Sequence, residues 1–124
     1  MFNLMENKGN LSPVTRQVIK DLRGRKDLDK TCVEFLVDDF KKRDRKGFEK
    51  FGKPLGEPDD PRDWFRELEE EILDGCQYAK AEIYRQQKNN RRTVAIQHIY
   101  QQLLKLLVDT KSAREASRKG RHGV

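Results

Sequence analysis

The sequence predicts an all-α protein: about four helices packed as an antiparallel helical bundle that oligomerises. Three observations predict it. Apolar residues recur three and four positions apart in four separate segments, the signature of one-sided helices. Nowhere does a segment alternate apolar and polar residues as a half-buried strand does. The composition, 35% hydrophobic and 39% charged over 124 residues, is lean for a globular domain. Such an average leans toward disorder, but the periodic segments turn it into thin amphipathic helices, which complete a core by associating.

The first helix starts at "SPVT", with Ser12 as N-cap and Pro13 at the first helical position. It places Val14, Val18, Ile19 and Leu22 on one face and stops near Gly24. A second helix starts around Asp27 or Asp29, presents Cys32, Phe35, Leu36 and Phe40 at helical spacing, and runs into the basic stretch "KKRDRKGFEKFGK". The loop "GKPLGEPDDP" follows, and its two Gly and three Pro exclude a regular element. Asp60 before Pro61 signals the start of the third helix, with Asp63 in its first turn complementing the helix dipole. This helix continues to about Lys88, with "KNNRR" as the break. The fourth, from about Thr93, turns Ile96, Ile99, Leu103, Leu106 and Leu107 inward. Residues 1–110 are therefore expected as a single helical domain, and 111–124 as a basic, frayed tail.

Several classes of function fall away early. There is no apolar run of about 18 residues to cross a membrane, and "MFNLMENKGN" lacks the apolar segment of a secretory signal. Cys32 and Cys76 fit no zinc spacing and suit a reducing cytosol, so a cytoplasmic location is expected, the host cytoplasm if the chain is phage-encoded. The net charge of +6 comes from 27 Lys+Arg against 21 Asp+Glu, a balance that alone suggests an anionic partner. Its distribution is uneven. Residues 41–53 hold seven basic and two acidic residues, and residues 57–74 hold nine acidic residues against Arg62 and Arg66. An acidic block set between basic ones suits metal plus phosphate as well as it suits DNA.

On the third helix, Phe65, Leu68, Ile72, Cys76, Ala79 and Ile83 form one apolar stripe at about 100° per residue. Glu67, Glu71, Asp74 and Tyr78 form a second stripe spanning about 60°, with Trp64 and Gly75 between the two. Like charges three and four apart repel, so the stripe calls for cations, either from a neighbouring helix or as a divalent ion. Mg²⁺ takes oxygen ligands and lets phosphate complete its shell. A charge run is most often simply a solvated face, and composition alone favours that reading.

The run "KFGKPLGEPDDPRDWFRELEEEILDGCQYAKAEIYR" resembles the central segment of phage-type members of the MazG-like all-α nucleoside triphosphate pyrophosphohydrolases. The matching residues are Lys53, Leu55, Arg62-Asp63-Trp64, Glu70-Glu71-Ile72-Leu73-Asp74, Tyr78 and Lys80, within roughly residues 50 to 85. The resemblance implies a homodimer or homotetramer that cleaves a (deoxy)nucleoside triphosphate between its α- and β-phosphates with Mg²⁺, giving monophosphate and pyrophosphate. It implies Glu67 and Glu71 as catalytic carboxylates and Glu67, Glu70, Glu71 and Asp74 as metal ligands. Lys50, Lys53 and Arg62 would then meet the triphosphate, and Trp64 or Tyr78 would stack on the base. Glu71-x-x-Asp74 supplies the family's second motif. For the first, the chain offers Glu67-x-x-Glu70 on the same helix or Glu34 with Asp38 on the preceding one. Neither reproduces it, so catalysis requires ligands from a second subunit. His98 and His122 receive no catalytic role.

Two other classes stay open. The basic blocks at 41–53, 85–92 and 111–121 can form a nucleic-acid surface, although only charge supports it. The chain can also be a catalytically degenerate phage or mobile-element protein that keeps the fold to bind a nucleotide, nucleic acid or host protein.

Overall fold

Local side-chain chemistry sets the helix boundaries in this computed structural model, which describes residues 11–52, 56 and 60–122. The fold is all-α, with four helices and no strand among the described residues: α1 (Pro13–Arg23), α2 (Lys30–Phe51), α3 (Trp64–Lys88) and α4 (Val94–His122). No helix among these residues is long and apolar enough to cross a membrane. The first three start on capping side chains. Ser12 accepts from the Thr15 amide, Asp29 from Cys32 and Asp63 from Arg66, each relieving one orphan donor of the first turn. Asp63 is thus the cap of α3 and not a first-turn residue, and the helix begins later than Asp60-Pro61 signals. At the far ends, Gly52 closes α2 at φ 74°, in the left-handed region that suits glycine. Asn90 at φ 56° turns the chain between α3 and α4, a conformation asparagine tolerates best among residues with a side chain.

The chain divides into two compact units, Met1–Pro61 and Arg62–Val124. In the first unit α1 packs antiparallel on α2. Asp44 takes three hydrogen bonds from the start of α1: Ser12 N at 3.1 Å, Ser12 Oγ at 2.8 Å and Thr15 Oγ1 at 2.6 Å. At the other end Arg23 grips Glu34 with two hydrogen bonds, of 3.0 and 2.8 Å. This register turns Val33 and Val37 onto Ile19 as the buried core. Cys32, Phe35, Leu36 and Phe40 were expected on that face and are exposed instead. Leu22 and Leu28 flank the core.

In the second unit α3 and α4 form a longer antiparallel hairpin. Of the predicted stripe, Ile72, Cys76, Ala79 and Ile83 are buried and Phe65 is half-buried, while Leu68, expected there too, is 49% exposed. Ile96, Leu103 and Leu107 of α4 are half-buried, while Ile99 and Leu106, expected to turn inward with them, are exposed. Helix α4 continues past 110. Thr110 Oγ1 donates to the Leu106 carbonyl at 2.7 Å, and Lys111 and Arg114 reach back to α3, so the backbone stays helical through His122.

Candidate functional site

Seven acidic residues lie between Asp63 and Glu82, and they divide sharply by what they touch. Asp63 receives Arg114 Nη2 at 2.7 Å. Its carboxyl lies below the usual range, chiefly through the Arg66 amide and then through Arg114. Glu69 is tucked against α4, with Lys111 Nζ at 3.1 Å from Oε2 and Arg114 Nη1 at 3.5 Å from Oε1. The Lys111 approach meets ion-pair distance although its angle is not that of a hydrogen bond. Glu70 pairs with Arg66 at 3.4 Å. Glu82 is lowered first by the Gln86 amide and then by Arg85.

Glu67, Glu71 and Asp74 have no such partner among the described residues. These are the three carboxylates of the second stripe. Helical geometry places them about 140° from the centre of the buried stripe. Glu71 and Asp74 are exposed and Glu67 is half-buried, so the stripe looks outward and not into the α3–α4 contact. Tyr78, on the same stripe, is 71% exposed.

The expected metal ligands do not converge. Among the described residues no group of three or more His, Cys, Asp or Glu side chains comes close enough to hold a metal ion. The reason is geometric: carboxylates on one helix flank diverge outward, and a closed cage takes oxygens from another element. Glu70, turned farther round, already holds Arg66. Glu34, offered as part of the first motif, is held by Arg23, which draws its carboxyl below the usual range. What remains is an open pair, Glu71 and Asp74, with Glu67 one turn earlier. Mg²⁺ bound through one or two carboxylates with waters and phosphate oxygens suits such a flank; a site made of protein ligands alone does not.

The expected substrate contacts fall in both units. Lys50 lies on α2 with Nζ 5.2 Å from the Phe51 ring centroid, and Lys53 falls outside the described residues. The Arg62 guanidinium lies over the Trp64 ring at 4.7 Å, so one face of Trp64 already carries a cation. Sequence reasoning missed the inward Glu69 with Lys111 and Arg114. It named Lys80 as a residue of the resemblance but missed its ring contacts, with Nζ 5.5 Å from the Tyr84 ring and 4.9 Å from the Tyr100 ring. Both lie on one flank of the hairpin and fasten it. A signal was present, since the wheel puts Glu69 beside Ile72 and Cys76, on the core side.

Fold and site together define a class: an all-helical protein of two antiparallel hairpins, with an outward flank of unpaired carboxylates on the third helix. No protein-family model, curated protein or solved structure matches the chain.

Proposed function

We propose that this chain is a Mg²⁺-dependent (deoxy)nucleoside triphosphate pyrophosphohydrolase that releases monophosphate and pyrophosphate and works as a homo-oligomer. One observation carries the reading. In a chain with 27 Lys+Arg, the three acids of one α3 stripe have no described cation partner, whereas Asp63, Glu69, Glu70 and Glu82 each have one. Unpaired carboxylates three and four apart are costly for a helix, and a positive ligand offsets that cost. The resemblance of residues 50–85 to MazG-like hydrolases supplies the ligand: the metal of a metal–triphosphate.

In this reading Glu71 and Asp74 would hold the metal. Glu67 orients the attacking water and takes its proton. Mg²⁺ bound with the triphosphate supplies charge neutralisation on the phosphoryl oxygens. The resemblance names Lys50, Lys53 and Arg62 as cations for the phosphates, where charge grows during transfer. Tyr78 offers an open ring to the base. A cytoplasmic setting accords with this substrate.

A second reading is binding without turnover, a degenerate member that holds a nucleotide, nucleic acid or host protein. It is favoured by the lack of a three-acid cluster among the described residues. Incubation with each NTP and dNTP plus Mg²⁺, followed by pyrophosphate detection, separates the two. Turnover is expected with at least one nucleotide, and Glu71→Gln and Asp74→Asn should each lower it by at least about a hundredfold with unchanged far-UV helicity. Equal turnover in both variants removes the metal role of these acids, and release from no nucleotide leaves the binding reading.

A further inference from the structure

Helix α2 joins two features that a soluble surface helix does not need together. Lys41, Lys42, Arg43, Arg45 and Lys46 follow one another with Asp44 as the one acid among them. That acid is turned to α1, where it accepts from Ser12 and Thr15. The exposed phenylalanines of the described chain also all lie on α2. Adjoining exposed apolar side chains mark an interaction site more often than a plain solvated face does.

The register of the first hairpin explains the exposure. Helix α1 has 11 residues against the 22 of α2, and its start is pinned at Asp44. The last two turns of α2 therefore extend past α1, with no second helix of their unit beside them. At about 100° per residue, Phe40, Phe48 and Phe51 share an arc of about 80° centred on the direction of Val33 and Val37. The apolar face thus outruns the helix that covers it, and these three rings are 39%, 37% and 51% exposed. Arg43 and Arg45, both exposed, each stand about 60° outside the arc, one on either side. The end of α2 is a short apolar line between two guanidinium groups.

We propose that the end of α2 seats the chain reversibly on an anionic lipid surface, with Phe48 and Phe51 in the headgroup region and Arg43 and Arg45 on lipid phosphates to either side. Rings that sink a few ångströms while long cationic side chains reach back to the headgroups are how an interfacial helix lies on a bilayer. Each Lys or Arg held near such a surface strengthens binding about fivefold. Nothing here crosses the membrane, since no helix among the described residues is long and apolar enough. A nucleic acid would take the same cations through its phosphates, but single strands stack on aromatics set in a groove, and one helix end is convex. The inference uses none of the residues given to the metal or the triphosphate and does not depend on turnover.

The test sediments the full chain with phosphatidylcholine vesicles, plain or carrying about one-third phosphatidylserine. Binding to the anionic vesicles is expected to exceed binding to the plain ones at least about tenfold and to weaken with salt. Arg43→Gln/Arg45→Gln and Phe48→Ser/Phe51→Ser are each expected to lower it at least about tenfold, with far-UV helicity retained. Failure to sediment with anionic vesicles overturns the proposal, as does equal binding to both kinds. So does a phenylalanine variant that binds as tightly as the wild type, which would reduce the contact to charge alone. A duplex oligonucleotide that binds more tightly than the vesicles, and equally in the phenylalanine variant, would make nucleic acid the partner instead.

Discussion

Gly75 meets the Leu103 methyls of α4 at 3.6 and 3.7 Å from where a Cβ would stand, which is ordinary contact. An alanine therefore fits, and the glycine only weakens α3. Gly75→Ala is expected to stabilise the protein by up to about 1 kcal/mol, read as a melting temperature several degrees higher; a lower one would mean that the position must stay bare. Asp44 is the reverse case. With its carboxylate gone, the fully buried Ser12 loses the acceptor of its amide, and its hydroxyl is left with Thr15 alone. Asp44→Ala should destabilise the first hairpin by about 2 kcal/mol, seen as faster hydrogen exchange across α1, and unchanged exchange would contradict this anchoring role. The same carboxylate explains why the inner face of α2 was misread in the sequence. Periodicity offered Cys32, Phe35, Leu36 and Phe40, all apolar or aromatic and well spaced. Which face turns inward is decided by the long-range bonds from Ser12 and Thr15 to Asp44, and spacing within one helix carries no record of them.

At the scale of the elements, sequence and structure agree best where the signal is local. Ser12, the end of α3 at Lys88 and the buried stripe Ile72–Cys76–Ala79–Ile83 follow from capping and period alone. The helical stretch beyond 110 was not legible, because Lys111 and Arg114 are ordered by acids some 40 to 50 positions away. These tertiary ion pairs also give the hairpins a pH dependence. Glu34 and Asp63 both titrate below their ordinary values in the folded chain, through Arg23 in one case and through the Arg66 amide and Arg114 in the other. A carboxylate depressed in the folded state adds stability above its unfolded pKa and loses it as pH falls through the folded one. Melting temperature should therefore be flat near neutrality and fall on acidification below about pH 4.5. Arg114→Met should flatten part of that fall, and an identical profile in the variant would show that Asp63 owes nothing to Arg114.

For the whole molecule, what matters is the contrast between charges that are paired within the chain and charges that are not. Asp63, Glu69, Glu70 and Glu82 are paired with cations of the chain; Glu67, Glu71 and Asp74 face outward from α3 with no such partner among the described residues. That flank was visible in the sequence as a stripe, but its outward aim was not, because a wheel gives angles and not neighbours. The most direct measurement follows the side-chain carboxylate ¹³C signals of α3 by NMR while Mg²⁺ and a non-hydrolysable deoxynucleoside triphosphate are added. Glu67, Glu71 and Asp74 are expected to shift together and saturably, with Glu69 and Glu82 unmoved. Signals that stay fixed, or that move equally on all seven acids, would contradict the account.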